Sequence, residues 1–280
     1  MTEPCEPADI EQHYTQGGLL DAFLGALRAD GKDVDRLTAG DLSHGDGFHV
    51  GGRATTRALA GRIPWVPGMR VLDIGCGIGG SARFLALEHD CRVDAIDLTQ
   101  EYIEVARDLT SRVGLGDRID FHHGSATELP FESNRFDVAW TEHVQMNIPD
   151  KRTFYGGIHR VLKPGGRLLF HDVFAGTKSP VLFPVPWSGR PETSFLSAAD
   201  DVQALLQELG FRVREWDDTT LHTIDWFTGL FVKSRRERTR SRLGTHLLMG
   251  REAPLRSRNL LQNLQEDRCR IIQAVVERAS

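Results

Sequence analysis

The 280-residue sequence predicts an α/β fold: a mostly parallel sheet with helices on both faces. Three observations carry that expectation. Apolar, strand-like runs alternate with amphipathic helical stretches from about residue 70 to residue 216, the pattern of a wound parallel sheet. The first run, "VLDIGCGIGG" at 71–80, ends on an acid and breaks into a glycine-rich turn that opens a helix. "KPGG" at 163–166 and "ELGF" at 208–211 supply glycine stops where a helix gives way to a strand.

Taken in order, the strands are expected at 70–74, 92–97, 119–122, 136–141, 167–173 and 212–216. Helices are expected between them at 80–89, 101–113, 151–161 and 198–209. Ahead of this core, 10–29 and 55–60 have helical spacing, separated by the glycine-rich "DGFHVGGR" of 46–53, and form a cover. Beyond the sixth strand, 221–242 and 253–266 have helical spacing, and "CRIIQAVV" at 269–276 is a β-branched run suited to a last strand. The expected organisation is a helical cover over 1–64, a core over 65–220, a helical insert over 221–268 and a closing strand over 269–280.

Composition narrows the partners. A formal net charge of −5 leaves no basic surplus with which to neutralise phosphates, which argues against nucleic acid and anionic membranes. The one dense cationic stretch, "KSRRERTRSR" at 233–242, reads as a solvated helix face. No apolar run reaches membrane-spanning length, and residues 1–12 lack a basic-then-apolar leader pattern, so a cytoplasmic protein is expected. Cys5, Cys76, Cys91 and Cys269 are scattered without metal-ligand or disulfide spacing, and reduced thiols are expected. Adjacent His122 and His123 point to opposite faces of a strand, which disfavours a shared metal; no metal site is expected.

A strand, a glycine turn and a helix set backbone N–H groups and a positive helix end beside a ligand, and Gly75, Gly77 and Gly80 satisfy G-x-G-x-x-G. That pattern serves several nucleotide cofactors. Asp97, ending the second strand in "DAIDLT", stands where ribose hydroxyls would donate to it, although it could equally cap the next helix, a role Thr99 could fill instead. Asp73 tilts the choice: a carboxylate inside the glycine lead-in would repel a pyrophosphate but favour a sulfonium or ammonium group. S-adenosylmethionine is therefore the expected cofactor.

"VLDIGCGIGG", "IDLTQEYIEVA", "GSATELPFESNRFDVAWTEHV" and "IHRVLKPGGRLLFHDV" together resemble the class I S-adenosylmethionine-dependent methyltransferases. "HYTQG", "FHVGGR", "EHVQMNIPDK", "FPVPW" and "HLLMG" are similar to the sarcosine and dimethylglycine N-methyltransferase branch and its natural-product neighbours. The resemblance implies a Rossmann-like sheet of seven strands with the last antiparallel. It places Asp73, Gly75 and Gly77 along the methionine part of the cofactor, and Asp97 and Leu98 at ribose and adenine. Ser125 and Ala126 would flank the adenine ring, with Ser125 standing where the family often has an acid. His143 would follow the fourth strand beside the cofactor, and Tyr14 would close over it.

Methyl transfer is an in-line displacement that needs alignment and exclusion of water, and alignment alone supplies about 7 to 11 kcal/mol of the barrier. The acceptor is expected at the carboxyl ends of the fourth and fifth strands. His143 is there as a base or as a packing histidine. Asp172 is a carboxylate hard to bury without a partner. Asn147 occupies the place of a histidine common in sugar O-methyltransferases, and either orients the acceptor or starts the next turn. Gln145, Phe48, Trp187 and Trp226 are expected to border the acceptor, and Arg53 or Arg190 to pair with an acceptor carboxylate unless both are surface residues. The expected reaction is methylation of a small glycine-, sarcosine- or dimethylglycine-type amine. The alternatives are O- or C-methylation of a secondary metabolite, or a cyclase on the same fold. A small-molecule acceptor is the expected partner, with self-association left open.

Overall fold

A computed structural model describes residues 6–236 and 242–279. The Cys5 thiol and the side chains of the basic run at 233–241, on which two expectations rest, lie outside the described residues. The core strands are β1 (Arg70–Ile74), β2 (Arg92–Asp97), β3 (Ile119–His123), β4 (Phe136–Glu142), β5 (Leu162–Ala175), β6 (Phe211–Asp218) and β7 (Cys269–Arg278), in the spatial order β3-β2-β1-β4-β5-β7-β6. β1 to β5 pair in parallel, and β7 slots antiparallel between β5 and β6. The chain runs outward from β1 to β3, then returns to β4 on the other side of β1. Between the carboxyl ends of β1 and β4 lies the reversal point at which open α/β sheets bind ligands.

Helices α1 (Pro7–Tyr14), α2 (Leu19–Ala29), α3 (Ala39–Leu42) and α4 (Gly52–Ala60) precede the sheet; α5 (Gly80–Glu88), α6 (Gln100–Arg112), α7 (Lys151–Val161) and α8 (Ala199–Glu208) connect its strands; α9 (Thr220–Arg236), α10 (His246–Met249) and α11 (Ala253–Gln265) separate β6 from β7. On one face of the sheet Phe84, Leu85, Ile103 and Ala106 pack against Trp140. On the other, Phe154, Tyr155, Ile158 and Leu206 pack against Phe136 and Phe170. The cover has its own core, in which Phe23, Leu27 and Leu42 meet Tyr102 and Leu109 of α6, each large side chain contributing about 1.5 to 3 kcal/mol by burial.

Two expectations are corrected, and one helix lies outside them. Residues 10–29 form two helices: Gly17 and Gly18 both sit at φ +75°, a left-handed conformation that ends α1 and turns the chain. β5 starts at Leu162 rather than at 167, because its pairing with β4 jumps from Phe136↔Leu162 to Val138↔Arg167 and the "KPGG" residues bulge out of register. The short α3 carries no apolar period of its own; a Thr38/Asp41 capping box holds it. Cys76, Cys91 and Cys269 are free and buried.

Polar clamps fix the cover. Glu101, in the first turn of α6, accepts backbone N–H bonds from Gln16 (2.7 Å), Gly17 (3.0 Å) and Leu19 (2.9 Å). Asp46 and Arg83 form an ion pair at 3.1 Å between side chains only 2% and 0% exposed, locking the cover loop to α5. Arg53 adds to Asp46 at 3.3 Å. α1 itself has no buried residue and is held by such contacts.

Candidate active site

The glycine turn after β1 is shaped by two different demands. Gly75 sits at φ +69°, where a Cβ would lie 2.3 Å from Val144. Gly80 has ordinary backbone angles, but a Cβ there would lie 2.1 Å from the carbonyl oxygen of Asp46, so this glycine admits the cover loop. Gly77, at φ +54°, faces space that no protein atom fills. Its N–H donates to Asp97 Oδ2 at 2.8 Å, and Thr99 N–H donates to Asp97 Oδ1 at 2.9 Å. Asp97 thus braces the turn and starts α6 while keeping further lone pairs for a ligand.

These elements bound a cavity of about 1140 Å³, including the part open to solvent. On the β1–β2 side Asp73, Gly75, Gly77, Asp97 and Leu98 line it, and Ser125 and Ala126 close the far wall. His143 and Asn147 line it beyond β4, with Tyr14, Phe48 and Trp187 covering them. Gln145, Asp172 and Trp226 do not line it. Asp172 accepts the backbone N–H groups of Val144 (2.9 Å) and Gln145 (3.0 Å), and so holds the turn after β4 from behind. Burial pushes its carboxyl up to about 6 against those hydrogen bonds. Gln145 donates to Val173 O at 2.5 Å, and half-buried Trp226 packs against Phe227 in α9. Neither Arg53 nor Arg190 lines the cavity; Arg190 is exposed and pairs with Asp9.

Asn147 is buried, accepts the Tyr14 hydroxyl at 2.8 Å, and donates to Trp187 O and Thr193 O at 3.0 and 3.1 Å. Lys151 ties the same turn down through the carbonyls of Gln145, Ile148 and Phe195, and burial lowers its ammonium to about 8. His143 takes φ +58°, rare for a side chain of its size, and stacks on His171 with ring centroids 5.3 Å apart. Burial holds both imidazoles neutral, His143 well below its ordinary value and His171 at about 3.

Two residues that the sequence reading passed over complete the site. Glu142, the last residue of β4, lines the cavity with its side chain only 5% exposed. It accepts from Ser81 Oγ (2.5 Å), Thr56 Oγ1 (3.0 Å) and Trp140 Nε1 (3.0 Å), and its carboxylate lies 3.3 Å from His49 Nε2. Both residues sat inside quoted motifs, "TEHV" and "FHVGGR", where the only signal was an acid at the carboxyl end of a central strand. Among the described residues no cluster of His, Cys, Asp and Glu is arranged to hold a metal ion.

Asp73 is the orphan of the site. It is buried, its Oδ2 has no hydrogen-bond partner, and burial raises its carboxyl well above the carboxylate range, with the charges of Glu142 and Asp97 adding to the shift. In its ionised form, a buried carboxyl with one oxygen unpartnered and facing a ligand cavity needs a cation beside it. The sulfonium and ammonium of S-adenosylmethionine meet that need, and Gly77 leaves them room.

The fold and cavity define an α/β enzyme that binds S-adenosylmethionine. The profile of a family described as a methyltransferase domain matches residues 72–170. The chain is 31% identical to the sarcosine/dimethylglycine N-methyltransferase of Aphanothece halophytica over 228 residues, 81% of this chain and 82% of that protein. It is 33% identical to the 27-O-demethylrifamycin SV methyltransferase of Amycolatopsis mediterranei over 80% of each. In fold it is similar to phosphoethanolamine N-methyltransferase 2 of Haemonchus contortus in complex with S-adenosyl-L-methionine, with TM-score 0.77 and 20% identity over 99% of this chain; it spans 61% of that longer chain. The chain belongs to the S-adenosylmethionine-dependent methyltransferases, and it acts on a small molecule. No described helix is long and apolar enough to cross a membrane.

Proposed function

We propose that the enzyme methylates the nitrogen of a small amine that carries no carboxylate. One observation carries this reading: besides Asp46, which Arg83 and Arg53 neutralise, the cavity lining includes Asp73, Asp97 and Glu142, and among the described residues no lysine or arginine lines it. Burial holds its His143 neutral, as it does His171 behind it. A carboxylate about 4 Å from one of these acids would meet a repulsion of about 4 kcal/mol at the effective dielectric of a protein surface. The glycine-type acceptor expected from the sequence therefore lacks a counter-charge, whereas a neutral or cationic amine is favoured.

In this reading Tyr14, Asp73, Gly75, Gly77, Asp97, Leu98, Ser125 and Ala126 hold the cofactor. Phe48, Asn147 and Trp187 border the acceptor; Gln145 and Asp172 act through the turn they anchor, and Trp226 supports the wall behind. Bound S-adenosylmethionine supplies an activated methyl group opposite the acceptor. Asp73 and Glu142 would compensate the positive charge that the cofactor and the acceptor share, and Ile10 and Tyr14 of α1 would keep water out. The test is S-adenosylhomocysteine release with dimethylethanolamine and tyramine, against glycine, sarcosine and a simple phenol. Turnover of the carboxylate-free amines with the highest kcat/KM is expected. Preference for glycine or sarcosine, or for the phenol, would overturn the reading.

A further inference from the structure

His49 lies on the cover loop, yet its ring enters the cavity. Nε2 is surrounded by three oxygens: Gly52 O at 3.1 Å, Thr56 Oγ1 at 3.0 Å and Glu142 Oε1 at 3.3 Å. A carbonyl and a carboxylate only accept, so Nε2 carries the proton in the neutral ring and Nδ1 carries the lone pair. Among the described residues Nδ1 has no hydrogen-bond partner, and it is absent from the polar atoms sealed away from solvent without one. His143 presents the opposite case, because its unpartnered Nε2 is one of those sealed atoms. Of the two histidines, His49 alone offers an accessible basic nitrogen backed by an acid.

We infer that His49 is the general base of the reaction and Glu142 its positioning residue, with Thr56, Ser81 and Trp140 fixing the carboxylate. This rests on the amine reading for the identity of the acceptor. The protonated amine gives its N–H proton to His49 Nδ1, which frees the nitrogen lone pair. That pair forms the new C–N bond while the S–C bond breaks and leaves its electrons on sulfur. The imidazolium, paired with Glu142, returns its proton to water as product leaves. The other titratable groups around the His49 ring are His143 beyond β4, His171 on β5, and the Asp46/Arg53 pair on its own segment; the ring centroids of His143 and His171 are both 6.3 Å away. Burial keeps those two imidazoles neutral, and Glu142 is the acid against the His49 ring, at 3.3 Å.

Two measurements decide the matter. Ring ¹⁵N NMR of the full-length protein with S-adenosylhomocysteine needs no acceptor. It should show His49 as the Nε2–H tautomer, and Glu142→Gln should let the Nδ1–H tautomer become populated. An Nδ1–H tautomer in the unmodified protein, or a tautomer balance unmoved by Glu142→Gln in a folded variant, refutes the pairing. With the amine turned over fastest, His49→Gln should lower kcat at pH 7 by about 10² to 10⁴-fold while leaving KM within about twofold, and the deficit should shrink as pH passes the amine's own pKa. A loss that is flat with pH, or no loss, refutes the base. If no amine is turned over, the amine reading fails on its own and the NMR result still decides the pair.

Discussion

The Tyr14 hydroxyl donates to Asn147 Oδ1 across 2.8 Å, joining the last residue of α1 to the turn beyond β4. Tyr14 also makes edge contacts with Phe48 and tilted contacts with Tyr102, each with ring centroids 6.0 Å apart. Since α1 buries no residue outright, this bond fastens the cover over the cavity without contributing much to the core. Tyr14→Phe should therefore raise the Kd for S-adenosylhomocysteine about fivefold, corresponding to about 1 kcal/mol. Thermal unfolding should stay near that of the unsubstituted protein. Calorimetric titration beside a melting curve checks both, and a large drop in Tm with unchanged affinity would contradict the assignment.

Within one motif, two glycines should fail in different ways. Gly77→Ala introduces a Cβ into empty cavity space at φ +54°, with a backbone cost of about 1 to 2 kcal/mol, and should abolish detectable cofactor binding in a folded protein. Gly80→Ala sets a Cβ 2.1 Å from the Asp46 carbonyl, a backbone atom with little freedom to yield. That substitution should cost about 3 kcal/mol or more and loosen the cover. Urea unfolding and cofactor titration on both variants separate the outcomes.

Buried charge explains part of that rigidity. Arg83 is fully buried against Asp46, so Arg83→Met strands a carboxylate that keeps only the weaker Arg53 contact at 3.3 Å. The expected loss is about 3 to 5 kcal/mol. Removing both partners, as Arg83→Met with Asp46→Leu, should cost less than the two single changes summed, because no unpaired charge remains. Denaturant midpoints for the four proteins of the cycle measure the coupling; strict additivity would show that the pair is not coupled.

The strands that carry the cofactor loop were legible because each is an apolar run closed by glycine or acid: β1 and β2 begin and end where the pattern put them. The α1/α2 break was written in Gly17 and Gly18 but was masked by apolar spacing that continues across it. β5's early start depends on register with β4, which no single strand encodes. On the site, Asp73 and Asp97 announced themselves by lying beside the glycine motif. His49 and Glu142 did not, because 93 positions separate them and only the docking of the cover on α5 brings them within 3.3 Å. Asp172 read as a candidate in the chemistry because a buried carboxylate needs partners; its partners are backbone N–H groups of the turn that carries Asn147.

Cofactor binding should release a proton through Asp73. Its carboxyl is raised by burial and then by the charges of Glu142 and Asp97, so the free protein keeps that proton to a higher pH than an ordinary carboxylate does. A cationic ligand favours the ionised form, so the proton leaves as the ligand arrives, and affinity rises with pH until the free carboxyl ionises by itself. The sign follows from linkage: the free protein binds more protons than the complex, so raising pH favours the complex. Titration of S-adenosylmethionine at pH 7 in phosphate and in Tris should give apparent enthalpies that differ by up to one buffer ionisation. S-adenosylhomocysteine, whose sulfur is neutral, should release less. Asp73→Asn, which has no proton to lose, should bring the two buffers into agreement and flatten the pH dependence. Proton uptake on binding, or a buffer difference that survives Asp73→Asn, would place the titrating group elsewhere in the cavity.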